Sequence, residues 1–143
     1  MKIQLDLDKT LEQLENDYWK EPEYHSNLVK TCHNLRKKPL KGFEIEDFRI
    51  LIGQNISLEI LIPMAIDLLE KEILAEGDYY KGDLLSNVLK CEMKYWKENP
   101  KELKRICETI EKKKEEIMES DIPTRDKNEI FELIENIMKK NAC

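Results

Sequence analysis

Glycine is scarce: four residues in 143, too few and too scattered to build a P-loop or Rossmann-type phosphate cradle. Histidine is scarcer still, with only His25 and His33, eight positions apart. No HExxH, no paired CxxC and no helical Glu-x-x-His is present, so the familiar zinc and di-iron patterns are excluded. Cys32, Cys91, Cys107 and Cys143 form no close pair and read as reduced thiols, mostly small core residues. Cys32 and His33 are sequence neighbours that point to different helix faces, so they make no nucleophile and base. Long apolar runs are also missing. The best, Leu58 to Leu69, is twelve residues with Glu59 and Asp67 inside it, short of the roughly 20 needed to cross a bilayer. The opening MKIQLDLDK has no apolar stretch long enough for a secretory signal. An excess of positive charge is lacking too: the formal net charge is -6, which argues against direct nucleic-acid binding. No catalytic, cofactor or metal site is expected, and the compartment is expected to be the cytoplasm.

What the chain has is helix-forming residues. Charged residues make up 38% and hydrophobic ones 41%, the profile of a helical globular protein. One domain over residues 1–143 is expected. Leu58 to Leu69 is apolar nearly all round, which marks a buried helix. Pro63 places its start near that residue, with Ser57 to Ile62 as an entry turn or a kinked first segment. Thr10-Leu11-Glu12-Gln13 has capping-box spacing and predicts a helix to about Trp19, with Leu11, Leu14 and Tyr18 on one stripe. Ser26 caps a helix over Asn27 to about Lys37, and Glu46 to Gly53 forms the next. Asp83 caps a helix that either stops after Leu89 or continues to Trp96. Asn99 and Pro100 start another, running to about Glu119. Thr124 or Asp126 opens the last, which pairs antiparallel with its predecessor. No hairpin signal appears, so the expected fold is an all-α bundle of about seven or eight helices around a central buried helix, residues 58–71.

Charge is distributed unevenly. Met1 to Tyr24 carries seven acids against three bases, His25 to Gly42 five bases and no acid, and Glu59 to Asp83 seven acids against two bases. Such a dipolar surface steers encounter with a charged partner. Within it, Glu76 to Asp83 joins Glu76, Asp78 and Asp83 to the adjacent Tyr79 and Tyr80. Tyrosine contributes large contact area at low entropy cost, so this stretch suits an interface, with acids and rings imitating RNA phosphates and bases. The alternative is a helix–helix connection whose tyrosines close the core and whose Gly77 and Gly82 answer to backbone conformation. Asp17, Trp19 and Glu21 form a second acidic–aromatic cluster, in which Tyr18 or Trp19 is the expected core residue. Glu59 and Asp67 lie about two turns apart on the central helix. They are expected to cap helix ends or pair with a base such as Arg49 or Arg36, rather than to act as acid and base.

Several segments together carry a resemblance: LENDYW (Leu14–Trp19), LVKTCHNLRKKPL (Leu28–Leu40), EDFRILIGQN (Glu46–Asn55), the helix around Pro63, and GDYYKGDLL (Gly77–Leu85). Over Thr10 to Leu85 the chain resembles the immunity proteins of bacterial contact-dependent growth inhibition (CDI) systems. The resemblance implies a small cytosolic protein without catalytic activity. Such a protein binds and blocks the C-terminal toxin domain of a large secreted surface protein, by stoichiometric occlusion. It implies a protein partner, expected to be a tRNA-cleaving nuclease, and a free state that is monomeric or weakly dimeric. The expected contact residues are Glu76, Asp78, Tyr79, Tyr80 and Asp83 with Asp17, Trp19 and Glu21. The competing reading is a helical adaptor or oligomerisation module that uses Leu103 to Met138.

Overall fold

A computed structural model describes residues 5–21 and 26–141, the last two by backbone alone. Among these residues there are eight α-helices and one short 3-10 turn. They are α1 (Leu11–Glu15), α2 (Asn27–Arg36), α3 (Ile45–Gly53), α4 (Leu58–Lys71), α5 (Asp83–Lys90), α6 (Met93–Glu98), α7 (Pro100–Glu119) and α8 (Thr124–Asn141). The only strand-like pairing among the described residues is one antiparallel bridge between Glu76 and Lys81.

Local chemistry sets some of the helix starts. Thr10 Oγ1 accepts the Gln13 N–H and the Gln13 side chain accepts the Thr10 N–H, the expected reciprocal box. Ser26 Oγ accepts the Val29 N–H. Asn99 holds the cap position of α7 with Pro100 behind it, but its amide donates to Glu59 and to the Tyr95 carbonyl instead of capping. Gly82, not Asp83, occupies the cap position of α5.

α4 is the centre of the bundle, contacted by α3, α5 and α7. It runs unbroken from Leu58, with Pro63 inside it. Leu61, Ile62, Ala65, Ile66 and Leu69 are fully enclosed. Burying each Leu or Ile contributes about 1.5–3 kcal/mol. Its exposed side carries Glu59, Asp67 and Glu70, and Arg105 of α7 lies along part of it, bonded to Asp67, Glu70 and the Pro63 carbonyl. α3 and α5 pack together, α5 meets α8, and α7 turns back onto α8 through residues 120–123.

Two local expectations fail, and one alternative is settled. α1 stops at Glu15, because Asn16 takes a left-handed conformation, and Tyr18 is 62% exposed, off the core. Of the two extents open for the helix begun at Asp83, the shorter is found: it ends at Lys90, and α6 is separate. Cys32 and Cys91 are free and buried, but Cys107 is disulfide-bonded, which corrects the expectation of reduced thiols throughout. Cys143 and His25 lie outside the described residues. No helix among the described residues is long and apolar enough to cross a membrane.

Candidate functional site

The segment joining α4 to α5 is built around a buried carboxylate. Asp83 is 1% exposed. Its Oδ1 accepts the Gly77 N–H at 2.6 Å, and its Oδ2 accepts those of Tyr79 at 3.1 Å and Tyr80 at 3.4 Å. A second carboxylate, Glu46 of α3, accepts the Asp78 N–H at 2.9 Å. Arg49, one turn further along α3, grips Glu46 with a two-pronged pair of bonds, each 2.5 Å, and lies 3.9 Å from Asp83. Its guanidinium carbon sits 4.3 Å from the centre of the Tyr79 ring. The hydrogen bonds from Arg49 hold the Glu46 carboxyl below its ordinary range, and Arg49 is raised chiefly by the same bonds. Gly77 leaves the room this needs: a Cβ there would stand 2.6 Å from Glu46 Oε1. Gly82 closes the loop with φ +91°, a conformation suited to glycine.

The loop therefore displays some of its side chains and uses others internally. Glu76, Asp78 and Tyr79 are exposed, Tyr79 at 71%, and Tyr80 is half-buried. Asp83, expected on the contact surface, is spent on the loop's own amides, which removes it from that surface. Beside the loop, a groove of about 520 Å³ brings up Glu72 as well as Glu116 and Glu119 from the end of α7 and Asp121 from the turn after it, with Lys81 the one base in its lining. This face of the molecule is strongly negative.

The cluster at Asp17 to Glu21 is organised by another arginine. Arg36 of α2 is 2% exposed. It donates to Glu15 at 2.5 Å, to Ser57 Oγ at 3.0 Å and to the Asp17 carbonyl at 2.5 Å. Its guanidinium lies 4.4 Å from the Trp19 ring centre, and His33 meets the same ring edge-on at 5.0 Å. Trp19 is thus half-buried scaffold, while Asp17 and Glu21 are exposed. The two acidic–aromatic clusters are held by different helices, one by α2 and the other by α3.

The carboxylates weighed for acid–base chemistry are committed elsewhere. Glu59 accepts from the Asn99 amide at 3.1 Å. Asp67 pairs with Arg105, a partner not expected from the sequence, where Arg49 and Arg36 were the bases considered. Burial pushes the Cys91 thiol up to about 12 and raises the Tyr95 phenol as well, so both stay protonated at neutral pH. No group of three or more His, Cys, Asp or Glu side chains placed to hold a metal ion occurs among the described residues. Arg36 and Arg49 are the organising residues that sequence reading missed. Arg49 has Glu46 one turn away on its own helix, a spacing too common to single it out, and Arg36 has no acid within helical reach at all.

Compared with known proteins, residues 13–106 match a family model described as CDI immunity proteins. No curated protein and no solved structure matches the chain. The matched span takes in the end of α1, all of α2 to α6, the first part of α7, the loop and both arginines.

Proposed function

The chain belongs to the CDI immunity protein family, and on that premise we propose that it neutralises the C-terminal toxin domain of a CDI effector by stoichiometric occlusion. The toxin is a nuclease, and tRNA is its substrate class. A net charge of -6, with Glu72, Glu116, Glu119 and Asp121 lining the groove beside the loop, suits the basic groove that such an enzyme presents to RNA. The protein acts in the cytoplasm, without a catalytic centre or cofactor of its own, and is a monomer or weak homodimer when free. Its contact surface is Glu76, Asp78, Tyr79 and Tyr80, extended by Asp17 and Glu21, with Asp83 and Trp19 as support.

One observation carries this reading of the surface. The acidic–aromatic loop is solvent-exposed and yet pinned by four backbone N–H bonds to two carboxylates of the scaffold. A surface segment fixed before binding loses little entropy on docking. The test uses the C-terminal domain of the large surface protein encoded directly upstream. Titration should give a 1:1 complex whose association slows with salt, and co-expression should protect cells from the toxin. A toxin domain that is neither bound nor inhibited overturns the proposal.

A second reading, an adaptor acting through α7 and α8, has one feature in its favour. Met118 is 56% exposed beside a groove of about 640 Å³ that Phe131, Ile134 and Met138 help to line. Sedimentation showing a monomer at high concentration would dispose of self-association through that groove.

A further inference from the structure

A tyrosine with most of its surface in water normally samples several rotamers, and fixing it costs entropy. Tyr79 is exposed without being free to do this. Its backbone N–H is held by Asp83 at 3.1 Å, and the N–H groups on either side by Glu46 and Asp83. One ring face is stacked against the Arg49 guanidinium at 4.3 Å, and that guanidinium is locked in turn by its fork onto Glu46. The result is a rigid aromatic knob, with the rest of the ring open to solvent and carboxylates at Glu76 and Asp78 beside it. Interfaces draw most of their energy from a few such aromatic anchors, above all when they are held before contact.

We propose that Tyr79 is the energetic centre of the docking surface and that Arg49 is its positioning residue, acting on the partner only through the tyrosine. This rests on the reading of the chain as a toxin-binding protein and adds what the toxin must present to it. The fitting partner surface is an apolar cleft deep enough for one ring, rimmed by lysine or arginine that faces Glu76 and Asp78. Arginine is suited to its part for geometric reasons. It offers a planar fork to Glu46 and a flat face to the ring, and lysine can supply only the charge.

The two roles separate in kinetics. The flanking carboxylates act at long range and set the association rate, and the buried ring sets the dissociation rate. With the upstream-encoded toxin domain as probe, Tyr79→Ala should weaken binding by about 30-fold or more, mostly through faster dissociation. Tyr79→Phe keeps the stack and should stay within about 3-fold of the parent. Arg49→Met should weaken binding by about 10-fold, and Arg49→Lys should recover only part of that loss.

The deciding measurement is the double variant. If Arg49 acts only by placing Tyr79, adding Arg49→Met to Tyr79→Ala should cost nothing further, whereas an arginine that merely supports the fold would give additive losses. Additive losses, or a Tyr79→Ala effect below 3-fold, overturn the inference. Far-UV circular dichroism checks each variant, and Arg49→Lys replaces Arg49→Met in the cycle if the latter does not fold. Failure of the parent protein to bind the toxin domain is a different result, and it sinks the proposed function itself.

Discussion

Replacing Asp83 by asparagine keeps the size of the side chain and removes half of its accepting capacity. In the native loop, Oδ1 serves Gly77 at 2.6 Å, while Oδ2 serves Tyr79 at 3.1 Å and Tyr80 at 3.4 Å. An asparagine amide can turn only one oxygen toward these donors. Whichever way it faces, an NH₂ group meets an N–H group on the other side. A hydrogen bond to a charged acceptor contributes about 1.5–3 kcal/mol, and a buried donor left unpaired costs about 1–3 kcal/mol. The long bond to Tyr80 adds little, and water reaches part of the loop once it opens. Together these give a loss of about 2–4 kcal/mol, which a domain of ordinary stability survives. Urea titration should show the midpoint falling with the slope unchanged. Hydrogen exchange should show the Gly77 and Tyr79 amides losing protection while α4 keeps its own. Asp78→Asn is the control: that carboxylate is exposed, and its loss should stay within about 0.5 kcal/mol. Equal midpoints for the two variants, or unchanged amide protection in Asp83→Asn, would refute the role assigned to Asp83. Charge reversal at Asp78 is likewise a clean probe of toxin contact, whereas reversal at Asp83 would disrupt the loop first.

Other consequences follow from the same geometry. Leu69→Ala, at a fully enclosed site on α4, should cost about 2–5 kcal/mol by chemical denaturation; the neighbouring Leu68 is only partly buried and should cost less. Gly82→Ala places a Cβ at φ +91° and 2.9 Å from Ile130 Cδ1, so the thermal midpoint should drop by an amount equivalent to about 1–2 kcal/mol. Glu46 titrates below its ordinary value of 4.5 in the folded protein because Arg49 bonds its charged form. As pH falls, the unfolded chain takes up this proton first, so the clamp's contribution is complete above pH 4.5 and is lost below it. The protection factor of the Asp78 amide should therefore hold above pH 4.5 and decline as pH falls below it, and a constant value would exclude Glu46 as the group that holds it.

How legible the site was from sequence depends on the residue. Tyr79 was readable either as an interface ring or as a cap on the core, and its exposure removes only the second alternative. Asp83 was not, since a carboxylate beside a glycine looks the same whether it faces water or its own loop. Trp19 could not be placed either, because its surroundings come from Arg36 and His33 on another helix. Asp67 was expected to find a base, and it found Arg105, 38 positions further along.

By itself the sequence determined the helical class, the buried apolar stretch of α4 and the starts of α1 and α2. Each depends on contacts within one turn or on a continuous apolar stretch, and neither needs the rest of the chain. Tertiary structure decided where the other helices break and which charges are buried. α6 begins where the Asn55 side chain accepts the Glu92 N–H, across 37 positions. The loop takes its shape from the bond between Glu46 and the Asp78 N–H, across 32. A buried charge is tolerable only beside a partner, and packing chooses that partner from residues that local spacing cannot connect.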